Sequence, residues 1–173
     1  MKKSILILSA IILTLTANAQ NNPVDDLFDK YSEKDGFTVV TISSRMFSML
    51  ANLDTENKDE DNFMQRLKSI RILSVEDSTL NINLNFYTEL AKRLDMKAYE
   101  ELMAVKEGHN VTKFLIKQKG NVITELLVIA GGPSGNSLIC IRGDLNLKNI
   151  QDLSKNIGIQ ELKGLDKLEK KIP

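Results

Sequence analysis

The apolar positions along this chain switch between two periods, and the switches mark its elements. Val24, Leu27, Phe28 and Tyr31 recur at the i, i+3, i+4, i+7 spacing of one helix face, and Asp35-Gly36 closes that segment. Phe37-Thr38-Val39-Val40-Thr41-Ile42 is β-branched and aromatic and predicts a strand. Ser43 or Ser44 is placed to cap a second helix carrying Met46, Phe47, Met49, Leu50 and Leu53. Asp54 to Asn62 is the most polar segment and reads as an exposed loop or a frayed helix start; Phe63, Met64 and Leu67 then give one or two apolar turns. Ile70 to Val75 predicts a second strand, turned by Glu76-Asp77-Ser78. A longer helix is expected over about Asn83 to Leu94, with Phe86, Tyr87, Leu90, Ala91 and Leu94 as its stripe. A short helix is expected from Lys97 to Val105 through Tyr99, Leu102 and Met103, ended by Gly108.

The pattern then changes to a run of strands. Thr112, Phe114 and Ile116 alternate with Lys113, Lys117 and Lys119, the signature of a half-exposed strand. Gly120-Asn121 turns the chain into the mostly apolar strand Val122 to Ala130, an antiparallel hairpin. Gly131-Gly132-Pro133-Ser134-Gly135 makes another turn, and Ser137 to Arg142 is the last strand. Gly143-Asp144 leads into a helix bearing Leu147, Ile150, Leu153 and Ile157. The order is α-β-α-β-α-α-β-β-β-α. It predicts a single α+β domain: a mixed, largely antiparallel sheet of about five strands with packed helices.

The N-terminus reads as an address. Lys2-Lys3 precedes an apolar run from Ser4 to Thr16, and Ala17-Asn18-Ala19 has the small-x-small form of a signal-peptidase site. Residues 1–19 are therefore expected to be a signal peptide, cleaved between Ala19 and Gln20. The run is short for a permanent span, and no Cys follows it to carry a lipid. Residues 20–173 form the expected exported domain, with a core over about 24–157 and a charged tail over 158–173. No membrane span is expected after cleavage, and the periplasm is the simplest destination.

Composition narrows the chemistry. The chain has 173 residues with 23 Lys+Arg against 23 Asp+Glu, and this balance argues against a nucleic-acid partner. One His and one Cys argue against a multi-His metal site and an internal disulfide framework. The acidic residues Asp54, Glu56, Asp59, Glu60 and Asp61 lack EF-hand spacing and read as a solvated loop. The Gly131–Gly135 turn lacks the lysine of a phosphate-binding loop. His109 sits in a turn with no nucleophile-elbow motif, and Cys140 lies mid-strand, where a small core residue fits. No catalytic, cofactor-binding or metal-binding residue is assigned, and no cofactor is expected. The absence of Trp weakens a carbohydrate-stacking platform. Asp77-Ser78-Thr79 is similar to the acceptor of periplasmic O-glycosylation in Bacteroidota, which makes Ser78 a candidate glycan site beside its role in a turn. The native protein would then exceed its sequence mass by hexose units, and an intact mass without them would exclude the modification.

Several segments together carry a family resemblance. They are Phe28…Tyr31, Val40-Thr41-Ile42-Ser43 with Met46, Leu67…Ile70…Leu73, Tyr99-Glu100-Glu101-Leu102-Met103, Glu125-Leu126-Leu127 and Ile141-Arg142-Gly143-Asp144-Leu145. Across most of residues 24–157 the chain resembles exported Bacteroidota proteins known as domain of unknown function 4252. The resemblance implies an exported α+β domain and no activity or site residues. The favoured function is a non-enzymatic periplasmic interaction or regulatory module, with another envelope protein as partner. The alternative is a small-ligand-binding protein or a hydrolase, for which Arg45, Arg142 and Asp144 near strand ends are the side chains to inspect.

Overall fold

A computed structural model describes residues 22–51 and 63–146. The expected signal peptide with Ala19 and Gln20, the acidic segment 54–62 and the expected helix from Leu147 onward lie outside these residues.

Helix α1 (Pro23–Tyr31) begins at Asn22, whose side chain accepts a hydrogen bond from the Val24 amide at 3.0 Å. Pro23 stands where a helix needs no amide proton, Asp25 and Asp26 sit in the first turn, and Lys30 in the last. Strand β1 (Phe37–Ser43) runs directly into α2 (Ser44–Ala51). Residues 63–66 are helical and lead into β2 (Leu67–Val75). A 3₁₀ turn (Ser78–Asn83), helix α3 (Phe86–Ala91) and a second 3₁₀ turn (Met96–Ala98) follow. Strands β3 (Glu100–Glu107), β4 (Asn110–Lys119), β5 (Val122–Gly131) and β6 (Ser137–Leu145) complete the fold.

The strands form one sheet of six in the order β1-β2-β6-β5-β4-β3. Every neighbouring pair is antiparallel, so the expected mixed sheet of about five strands is corrected on both counts. The chain enters at one edge with β1 and β2, then crosses one face through α3 to the far edge. It returns as a meander that ends when β6 pairs with β2.

The added strand is β3, expected as a helix. A bulge lies between Glu101 and Met103, and consecutive Leu102 and Met103 both pack against the same core cluster. The bulge breaks the alternation of a regular strand and leaves apolar spacing that imitates a helix. The hairpin to β4 turns on two residues, with Gly108 at φ +59° in the first position. The expected helix over 83–94 is also shorter. Leu84 and Asn85 are extended, Asn85 caps α3 by accepting from the Thr88 amide at 2.8 Å, and the preceding residues wind as a 3₁₀ turn.

Both faces of the sheet are covered. On one, α1 and α3 bury Val24, Leu27, Phe28, Phe86 and Leu90 against Leu73, Leu115, Leu127, Leu138 and Cys140. On the other, Phe47 of α2 and Phe63 pack with Ile70, Phe114, Leu126, Val128, Ile139 and Ile141. Each fully buried large side chain of this kind contributes about 1.5–3 kcal/mol. The two-sided cover explains why β5 and β6 read as nearly continuous apolar runs.

Candidate functional site

On the α1 face, two strand arginines and three carboxylates form a cluster. The register pairs Arg71 with Cys140 and Arg142 with Glu125, which brings both guanidinium groups beneath α1. Arg142 donates to Glu125 at 2.5 Å and to Asp25 at 2.8 Å. Arg71 donates to Asp25 at 3.0 Å and Asp29 at 3.1 Å, and lies 4.3 Å from the centre of the Phe28 ring. Tyr99 donates its hydroxyl proton to the buried Glu125. Burial and that bond push the Tyr99 phenol above its ordinary range. The Cys140 thiol is pushed up mainly by burial, so it stays protonated and unreactive at neutral pH. Each guanidinium forks between two carboxylates, and charge-assisted contacts shared in this way fasten a helix to a sheet. Each carboxylate touches a guanidinium, while Arg71 Nε and one terminal nitrogen of Arg142 are buried with no hydrogen-bond partner among the described residues.

A cleft opens at the end of the sheet where β2, β4, β5 and β6 meet the 3₁₀ turn. Its volume is about 530 Å³, and among the described residues its lining includes Ser78, Asn81, Glu107, Thr112, Ser134 and Ser137. The register lays Thr112, Ala130, Ser137 and Ser74 side by side in one cross-strand row. The next row inward on that face is Phe114, Val128, Ile139 and Ile72. Small hydroxyl residues thus replace large apolar ones where the sheet ends, and this creates the space.

Two asparagines hold the cleft walls. Asn136 accepts from the Phe86 amide at 2.9 Å and donates to Asn81 at 2.9 Å and to the carbonyls of Gly132 and Leu84 at 3.0 and 3.3 Å. Asn110 donates to Ser134 Oγ at 2.9 Å and accepts from the Ser134 amide at 2.9 Å. Gly132 lets the loop come this close: a Cβ there would stand 2.5 Å from Asn110 Oδ1 and 2.8 Å from the His109 carbonyl oxygen.

The two sheet edges differ. β3 carries Glu100, Glu101, Lys106 and Glu107 and a bulge, features that discourage another strand from adding. β1 (Phe-Thr-Val-Val-Thr-Ile-Ser) has no charge, no proline and no break in its register with β2. Val40 on β1 is 42% exposed, and Met46 and Met49 on α2, which packs over the same face, are 48% and 57% exposed.

The residues singled out from sequence are dispersed. Ser78 is exposed, starts the 3₁₀ turn and lines the cleft; Asp77 caps that turn through Thr79, whose bonds hold the Asp77 carboxyl below its usual range. Arg142 belongs to the ion cluster, Asp144 is exposed two residues further along β6, and Arg45 is exposed on α2 across the sheet. His109 is exposed in the β3–β4 turn. The lysine stripe is not a free basic face. Lys113 pairs with Glu101 at 2.5 Å over the Tyr87 ring, and Lys117 lies over Tyr99. Glu125 and Asp25 were not distinguished by sequence, because only the β5–β6 register reveals the pairing. Among the described residues, no group of three or more His, Cys, Asp or Glu is arranged to hold a metal ion, and no helix is long and apolar enough to cross a membrane.

Fold and surfaces together define an α+β domain built on one antiparallel sheet with helices on both faces. The family model described as "Domain of unknown function (DUF4252)" matches residues 31–153, and the chain belongs to that family. Neither the curated proteins nor the solved structures include a match to this chain.

Proposed function

We propose that this chain is an exported, non-enzymatic interaction module that binds an extended, uncharged segment of another envelope protein along β1. The single observation that supports this is the contrast between the sheet edges. One is guarded by charges and a bulge; the other is a smooth seven-residue strand flanked by exposed Val40, Met46 and Met49. Strand addition uses such an edge, with backbone hydrogen bonds for affinity and alternate side chains for specificity. The address-like N-terminus supplies the export part of the reading.

A photo-crosslinking residue at position 40 tests it in the native envelope. The expected result is an adduct with an extended segment of one other protein. Val40→Lys should reduce capture of that protein at least about tenfold while changing stability by no more than about 0.5 kcal/mol, the range of ordinary surface substitutions. An adduct between two copies of this chain would overturn the reading in favour of self-association. A lack of any adduct would leave no partner for β1 and refute it.

A further inference from the structure

We infer that the cleft at the end of the sheet binds a neutral, hydroxyl-rich ligand of mono- or disaccharide size. At about 530 Å³ it falls within the roughly 300–1,000 Å³ range of small-molecule sites. Its polar groups divide into two sets. The amides of Asn136 and Asn110 are occupied in holding the walls. The hydroxyls of Ser78, Thr112 and Ser137 have no hydrogen-bond partner among the described residues. Ser134 Oγ accepts from Asn110 and keeps its own proton to donate. The fixed set holds Ser134 and the cleft walls in place before binding, which lowers the ordering cost.

The open set defines the ligand's chemistry. Each hydroxyl both donates and accepts, which matches ligand hydroxyls in either orientation. Glu107, also in the lining, is an acceptor-only carboxylate suited to two adjacent hydroxyl donors. Among the described lining residues there is no Lys or Arg, so Glu107 opposes a phosphorylated or carboxylated ligand. The described lining also has no aromatic ring, and its apolar side chains are the small Val75, Val111 and Ala130, so affinity must come mostly from hydrogen bonds, and millimolar binding is expected.

Purified full-length protein would be titrated with glucose, galactose, N-acetylglucosamine, their disaccharides and glucose 6-phosphate, followed by ligand-observed NMR and calorimetry. At least one neutral sugar should saturate, with glucose 6-phosphate at least about tenfold weaker than its neutral parent. Thr112→Val, which keeps the shape, and Glu107→Gln, at an exposed position, should each weaken binding about three- to tenfold, the effect of one lost hydrogen bond. Both variants should melt within a few degrees of the parent. Failure of every neutral sugar to saturate would overturn the inference, as would undiminished binding in both variants or equal binding of the phosphorylated sugar. None of these outcomes depends on β1, so the strand-addition reading stands or falls separately.

Discussion

Arg142→Ala should destabilise the protein by about 3 kcal/mol at neutral pH, the lower end of what removing one partner of a buried ion pair costs. Glu125 has only 7% of its side chain exposed and Asp25 is half-buried, so the substitution leaves Glu125 with the Tyr99 hydroxyl and no paired cation, and Asp25 with Arg71 alone. Arg142 itself is 24% exposed, which is why the lower end applies. Arg142→Lys should fall between, since an ammonium restores charge without the planar fork that reaches both carboxylates. Urea unfolding of the parent and the two variants at neutral pH measures this. A gap below about 1 kcal/mol at neutral pH would show that the cluster contributes no more than exposed pairs do.

Phe28→Ala should cost about 3–5 kcal/mol, the range for truncating a fully buried phenylalanine. The ring is completely buried between α1 and the sheet and carries the Arg71 guanidinium on its face. Helix α1 is attached through its side chains, and Phe28 is the largest fully buried one beside Val24 and Leu27. Hydrogen exchange should locate the effect: α1 amides should lose protection beyond the global change, while the β4–β5 pair should follow global stability alone. Phe28→Leu should retain about half of the lost stability, because most of the cavity is refilled.

Elements whose patterning is uninterrupted were legible in the sequence. Val24, Leu27, Phe28 and Tyr31 mark α1, and the β4–β5 hairpin announces itself through alternation and Gly120-Asn121. Strand β3 was not legible, because a bulge makes two adjacent residues face one way and erases period two. The cleft was hidden for a different reason. Ser74, Thr112 and Ser137 are far apart in sequence, and only the strand register sets them in a row. The available signal was weak: small hydroxyl residues at the outer ends of apolar strands. The Arg142–Glu125 pairing depended on register in the same way, with a register shift beside Glu125 that no composition rule marks.

The strand order has one more consequence. β6, the last strand of the described chain, hydrogen-bonds to β2 on one side and β5 on the other, so it joins two halves that share no strand pairing without it. Until residues 137–145 have been synthesised, β1–β2 and β3–β5 are separate pieces with their apolar faces incompletely covered. The β2–β6 pairing also spans a long sequence separation, which slows sheet closure. The sheet therefore closes only when its last described strand is in place, and a truncation before residue 137 should leave two fragments with no strand pairing between them.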